Sequence, residues 1–367
     1  MAANPSAKTA EGESWLDQRT KLAPLIKASL HVRIPMSAKT YYFGGIAMFL
    51  FAIQVVTGTL LSLYYKPTPQ AAYESVQFIT SSVSFGWLIR SIHHWTANLM
   101  VLFVALHLVR VFVQAAYKYP RELTWVVGSF LFIVTLCFGF TGYLLPWDQR
   151  AYWATVVGTE IAGAVPVIGD ALLLLLRGGA DVTGDTMSRF FGIHVLVLPL
   201  MLGGLMAVHL LLVHQLGLAN PNRPEPRVVT PEVEKEPLRP FFPHYIIDEL
   251  MAWYVILAIL VVLASIFPAG LEGQANPLET PAHVKPEWYY LGVYELLKLI
   301  PNEILGIGIP SKLIGIMIPI VGVTLLILWP ILDRSPEVRA RRRLLAIAGC
   351  TIVIVGLIAL TIWGYVS

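Results

Sequence analysis

Cysteine is nearly absent from this chain. Only Cys137 and Cys350 occur among 367 residues, each inside an apolar run. Neither belongs to a C-x-x-C-H motif, so a c-type haem attachment and a disulfide framework are both excluded. Charge is scarce too. Asp, Glu, Lys and Arg make up 13% of the residues and leave a net charge of +3, against about 25% charged residues in an ordinary soluble domain. That balance excludes a soluble enzyme, and no nucleic-acid partner is expected. The N-terminus, MAANPSAKTAEGESWLDQRTK, is polar and lacks the short apolar core of a cleaved signal.

What the chain has instead is apolar length. Hydrophobic residues account for 56% of the sequence, with a mean hydropathy of +0.67. Seven runs are long enough to cross a bilayer, near 41–64, 91–115, 125–146, 190–213, 246–267, 312–332 and 344–365. An eighth stretch, VPVIGDALLLLLRGG, is too short and is bounded by Pro166, Asp170, Arg177 and Gly178. It reads as a surface or re-entrant helix in the long loop between the third and fourth spans. The Pro- and charge-rich PNRPEPRVVTPEVEKEP followed by LRPFFPH marks a boundary. The expected organisation is an N-terminal segment (1–40), a four-helix domain (41–216), a linker (217–243) and a three-helix domain (244–367). Most of the 26 Lys and Arg fall in the N-terminus and in the loops after the second, fourth and sixth spans. By the positive-inside rule the N-terminus lies inside and the C-terminus outside, in a bacterial inner membrane. The basic run Arg339, Arg341, Arg342 and Arg343 reads as a solvated anchor beside anionic lipid.

Four histidines sit in two pairs inside these apolar helices. His93 and His107 are 14 residues apart, and His194 and His209 are 15 apart. Fourteen residues of α-helix span about 21 Å and return to within about 40° of the starting face, whereas fifteen overshoot by about 60°. Each helix can therefore turn two imidazoles inward, one near each leaflet. A polar ring in hydrocarbon is costly and marks function by default, and haem iron takes paired imidazoles. Both helices run the same way through the membrane. His93 and His194 then meet near the outer face and His107 and His209 near the inner face, as ligands of two stacked, non-covalent b haems.

The glycines follow the same spacing. Gly44 and Gly58 in the first span are 14 apart, as are Gly128 and Gly142 in the third. Gly inside a helix costs about 1 kcal/mol against Ala, so a repeated pair at the histidine spacing needs a reason. Close backbone approach of a flat macrocycle to the helices without ligands supplies one. Arg90 and Arg110 lie one turn from His93 and His107 towards the surfaces, where haem propionates seek cations. His94 points about 100° away from His93 and is not counted as a ligand.

With these motifs in view, the chain resembles the cytochrome b subunit of quinol–cytochrome c reductase (cytochrome bc) complexes, from about Tyr41 to the C-terminus. The resemblance rests on YYFGGI, FGWLIRSIHHW, PRELTW, TGYLLPWDQ, the four histidines and PEWY at 286–289. The 15-residue spacing resembles the chloroplast-type branch, in which the four-helix cytochrome and the three-helix subunit IV are separate chains. Here the two are fused. Proteins of that branch carry a cysteine in the first-helix motif that holds an extra haem. This chain has Tyr42 there, so no covalent haem is expected.

The resemblance implies oxidation of a membrane quinol at an outer site. One electron passes to a Rieske iron–sulfur protein and on to a c-type cytochrome subunit. The other crosses both haems to an inner quinone site, with proton translocation. It also implies a homodimeric complex fed by the membrane quinone pool. At the outer site Glu287 accepts a quinol proton, while Trp288 and Tyr289 give an apolar wall with a polar tip. At the inner site His214 and Asp248 are the proton donors. His31, His244 and His283 receive no role. The rival reading, a di-haem b anchor of another quinone-linked dehydrogenase, shares the histidines but not PEWY.

Overall fold

The computed structural model describes residues 19–20, 32–35, 42–219, 238–281, 284–301, 303–304, 307–308 and 311–367. His31, His283, most of the N-terminal segment and most of the linker lie outside the described residues.

Seven helices are long and apolar enough to cross a membrane. They are α1 (Phe43–Ser62), α3 (Gly86–Val113), α4 (Glu122–Tyr143), α7 (Gly184–Leu216), α8 (Ile246–Ile266), α10 (Ser311–Leu332) and α11 (Leu344–Val366). Short helices fill the connections: α2 (Ala72–Ser81), α5 (Gln149–Gly163), α6 (Gly169–Arg177) and α9 (Trp288–Lys298). The eighth apolar stretch is α6, nine residues long and closed by Gly178 in the left-handed region at φ 81°. Glycine reaches that conformation without a Cβ penalty. The chain is an all-α membrane protein.

The bundle core is made by Ile46, Leu50, Met100, Val134, Leu198, Leu202, Ile256 and Leu260, drawn from α1, α3, α4, α7 and α8. α8 therefore packs against the four-helix part. Elsewhere the spans leave large apolar side chains exposed, among them Val56, Leu200, Tyr254 and Ile352. A chain that keeps such surface needs an apolar solvent around it.

One local irregularity decides the site geometry. Residues Ile193–Val197 of α7 form a π-turn, in which the Leu198 N–H bonds the Ile193 carbonyl five residues back. Pro199 follows at once; it has no N–H to give Val195, and its ring would crowd that carbonyl. The π-turn absorbs one extra residue. Fifteen residues from His194 to His209 then turn about as far as fourteen regular ones, and the 60° overshoot expected from the spacing disappears.

Two polar clusters tie the ends of the bundle. A short antiparallel pair, β1 (Arg33–Pro35) with β2 (Leu238–Pro240), sets Ile34 opposite Arg239 just ahead of α8. At the same face, Tyr117 donates to Asp333 and accepts from Arg343, while Lys118 Nζ pairs with Asp333 Oδ1 at 3.0 Å. This overturns one expectation. Arg343 is 6% exposed and clamps the three-helix part to the α3–α4 turn instead of facing lipid. Arg342 pairs with Glu337, and Arg341 is exposed.

Candidate haem and quinone sites

The four histidines meet in two pairs. The His93 and His194 ring centroids are 6.5 Å apart at an interplanar angle of 71°, and those of His107 and His209 are 6.5 Å apart at 78°. Metal–imidazole bonds of about 2 Å on both sides of one metal put ring centroids about 6 Å apart, so each gap fits a single iron. Among the described residues no cluster of three or more His, Cys, Asp or Glu could hold a bare metal ion. An iron here must bring its remaining ligands with it, as a haem does.

Two threonines fix the rings of the first pair. Thr57 Oγ1 lies 2.9 Å from His93 Nδ1 and donates its own proton to the Ile53 carbonyl at 2.7 Å. Thr141 Oγ1 lies 3.0 Å from His194 Nδ1 and donates to the Cys137 carbonyl at 2.8 Å. A hydroxyl has one proton, so each threonine must accept from Nδ1–H. That sets the tautomer and leaves the Nε2 lone pair for a metal. In the second pair, His107 Nδ1 and His209 Nδ1 are buried without a hydrogen-bond partner; the Thr124 backbone lies near His209 but makes no well-directed bond.

The paired glycines abut the imidazoles. A Cβ at Gly58 would lie 3.2 Å from His93 Cε1, at Gly44 3.1 Å from His107, at Gly128 3.2 Å from His209, and at Gly142 2.6 Å from His194. The space each leaves on α1 or α4 is filled by a ring edge from α3 or α7. The Arg90 guanidinium, one turn before His93, donates to the Ala269 and Gly270 carbonyls at 2.7 and 2.5 Å, holding the loop after α8. Arg110 lies in electrostatic range of His107 and Tyr245.

α9 starts at Trp288 with Glu287 as its N-cap residue, and Trp288 and Tyr289 seat on α3 and α4 of the four-helix part. Trp288 Nε1 donates to Asn98 Oδ1 at 2.7 Å. Tyr289 Oη lies 2.7 Å from where a Gly139 Cβ would be, so Gly139 makes its seat on α4. Burial pushes the Glu287 carboxyl above the ordinary carboxylate range, and the Arg150 guanidinium partly opposes it. Burial also raises the Tyr289 phenol. The loop after α8 is strapped to the exit of α4 by Gln149 N–H to Gly273 O (2.8 Å) and Ala275 N–H to Trp147 O (3.1 Å).

At the opposite end Asp248 is held by two partners. Arg239 Nη1 donates to its Oδ2 at 2.8 Å and Tyr42 Oη donates to the same oxygen at 3.1 Å. Tyr42, at the position compared with the haem-binding cysteine, stacks on Tyr245 at 5.4 Å. His214 is exposed in the last turn of α7, and no hydrogen bond joins it to Asp248. Glu249 is a further acid here, its Oε1 1.4 Å from where a Gly45 Cβ would be.

Several of these residues escape a reading of the sequence. Thr57 and Thr141 were within reach, since each immediately precedes a spaced glycine and forms a repeated Thr-Gly pair. Arg239 and Arg150 carry no local signal. They are brought in by chain segments far apart in sequence.

Histidine pairs stacked through a helical bundle, with acids beyond either end, define a membrane haem protein of the electron-transfer class. Residues 30–217 match the family described as "Cytochrome b/b6/petB", and 274–367 match "Cytochrome b(C-terminal)/b6/petD". The "Cytochrome bc complex cytochrome b subunit" of Chlorobaculum thiosulfatiphilum is 38% identical over 344 residues, 92% of this chain and 77% of that protein. The "Menaquinol:cytochrome c reductase cytochrome b subunit" of Geobacillus thermodenitrificans is 44% identical over 216 residues, 56% of this chain and 96% of its own. A solved chain titled "Hyperthermophilic respiratory Complex III" superposes with a TM-score of 0.83 at 35% identity, covering 96% of this chain and 90% of that one. The chain belongs to the cytochrome b family.

Proposed function

We propose that this chain is the di-haem cytochrome b of a bc-type quinol:cytochrome c reductase, in which four-helix and subunit IV-like parts are joined in one polypeptide at the 217–243 segment. The observation that carries the reading is the pair of bis-histidine pockets on α3 and α7, about 21 Å apart along the axis, with Glu287 beyond one and Asp248 beyond the other.

The haems, when bound, supply one-electron carriers in line across the bilayer. His93 with His194 and His107 with His209 hold them, and Thr57 and Thr141 keep the ligating nitrogens of the first pair unprotonated. Arg90 and Arg110 are the candidates to face propionates. Quinol at the Glu287 end gives up two electrons and two protons. Glu287 takes one proton at a carboxylate oxygen, the other is released to the aqueous phase on the outer side, and Trp288 and Tyr289 supply an apolar wall of the site. One electron would leave for a Rieske iron–sulfur protein and a c-type cytochrome, and the other would be taken up by the haems that His93, His194, His107 and His209 would hold. At the far end Asp248, held by Arg239 and Tyr42, and His214 return protons to reduced quinone. The charge distribution supports a cytoplasmic N-terminus, with Arg339 and Arg341 near lipid, and the family resemblance leads us to expect a homodimeric complex in a bacterial inner membrane.

The test uses Glu287→Gln, which keeps shape but removes the acid–base function. In the purified complex we expect slower quinol oxidation, with both haems present and their reduction through the far site unchanged. Wild-type turnover across the pH range would refute the role.

A further inference from the structure

Asn98 is a polar residue inside an apolar span, in the TANLMVLF stretch of α3. Asn is a poor helix former, and an amide inside a span is costly unless it is hydrogen-bonded. Here both of its halves are bonded. Asn98 Nδ2 donates to the His94 carbonyl one turn back at 3.0 Å, and Asn98 Oδ1 accepts from Trp288 Nε1 of α9 at 2.7 Å. The partners permit only this orientation, since a carbonyl accepts and an indole N–H donates. The bond within α3 thus aims the Asn98 oxygen at α9.

Asn98 belongs to a stripe. Ser91, Trp95 and Asn98 follow at i, i+4 and i+7 along one face of α3. Each holds a segment of the three-helix part. Ser91 Oγ accepts from the Ala269 N–H at 3.0 Å, Trp95 Nε1 donates to the Phe267 carbonyl at 2.7 Å, and Asn98 takes Trp288. At about 100° per residue the stripe lies roughly opposite His93 and His107. One helix therefore carries histidines of both pairs on one face and holds the loop after α8 and the start of α9 with the other. α4 holds the same turn of α9 by other means, with Tyr289 seated at Gly139 and Tyr290 Oη donating to the Leu136 carbonyl at 2.5 Å.

We propose that Asn98 is a positioning residue of the quinol-oxidising site, whose amide fixes Trp288, and with it the first turn of α9, against the helix that carries His93. This rests on the reading of the Glu287–Tyr289 turn as that site. Asn98 acts through Trp288, so its removal leaves the indole wall in place but frees it to shift. What is lost is productive geometry, and kcat should fall more than KM rises.

Asn98→Leu keeps the size and removes both bonds, Asn98→Gln keeps the amide on a longer stem, and Trp288→Phe removes the donor from the other side. In the purified complex, quinol oxidation kinetics are measured alongside the haem spectrum and the ultraviolet resonance Raman band of the indole N–H. The Trp288 contribution is the intensity lost in Trp288→Phe. For Asn98→Leu we expect kcat/KM about tenfold lower, most of it in kcat. The Trp288 band should move to the position of an unbonded indole, with both haem components retained. Asn98→Gln should recover part of the rate and of the band position together. In a Trp288→Phe background, Asn98→Leu should lower the rate by less than about twofold further. Wild-type kinetics or an unshifted Trp288 band in Asn98→Leu would overturn the proposal. So would a loss of rate that persists undiminished in the Trp288→Phe background, or one that only tracks a loss of haem. If Glu287→Gln turned over like wild type, the reading of the site would fall instead, while the Trp288 band would still report the bond to Asn98.

Discussion

Replacing Gly142 by Ala puts the packing of the haem pockets to a graded test. The new Cβ would lie 2.6 Å from His194 Cε1 and 3.2 Å from both ring nitrogens. Carbon atoms reach favourable contact near 3.5–4.0 Å, so the ring must retreat by about 1 Å. It cannot do so and keep the 3.0 Å bond from Nδ1 to Thr141. Disturbing the group that orients a ligating histidine typically costs 10–100-fold in metal affinity, or about 1.4–2.7 kcal/mol. The same change replaces a glycine in the last turn of α4, where the gain in helix propensity is at most about 1 kcal/mol, so global stability should hardly fall while one pocket empties. Gly128→Ala, with its nearest approach at 3.2 Å, should be milder, and Gly204→Ala, where nothing lies within 4 Å, should be silent. The assay is haem per polypeptide and the redox-titrated α-band of the purified complex. Full occupancy and unaltered potentials in Gly142→Ala, or equal loss in Gly204→Ala, would refute the reasoning.

Thr57→Val and Thr141→Val should each shift the potential of the His93–His194 haem and leave the other unchanged, seen in the same redox titration. Arg343→Met strands the Tyr117–Asp333 cluster and should cost about 3 kcal/mol, read as a lower thermal midpoint in detergent with both haem bands intact below it. Asp333 adds a pH dependence to that cluster. Burial works against its charge, yet hydrogen bonds from Tyr117 and Lys118 and the nearby Arg343 hold its carboxyl below the ordinary range. Its contribution is thus present above the unfolded carboxylate range and lost as pH falls through the depressed folded value, and Asp333→Asn should flatten the acid side of the stability profile. Haem extracted with acidic acetone should leave the polypeptide colourless, because Tyr42 cannot form a thioether; a haem stain on the denatured chain would contradict this.

The spans and the pairing of the four histidines were legible because each rests on a periodicity. Apolar runs of bilayer length and histidines near four helical turns apart need no knowledge of the rest of the chain. The 15-residue interval was legible only as a discrepancy, since a π-turn carries no pattern of its own beyond Pro199. The glycine spacing pointed to close approach, and the structure shows an imidazole edge against each glycine. Arg343 was misplaced because its sequence neighbours suggest a surface, while Tyr117, 226 residues away along the chain, reaches it only when the three-helix part docks.

The central claim is that two separate haem pockets are each closed by one histidine from α3 and one from α7. Single replacements of the four histidines, each read by redox-titrated α-band spectroscopy in the purified complex, test it directly. His93 and His194 variants should lose one component, and His107 and His209 variants the other. Equal loss of both components from each single replacement, in protein still inserted in the membrane, would contradict it.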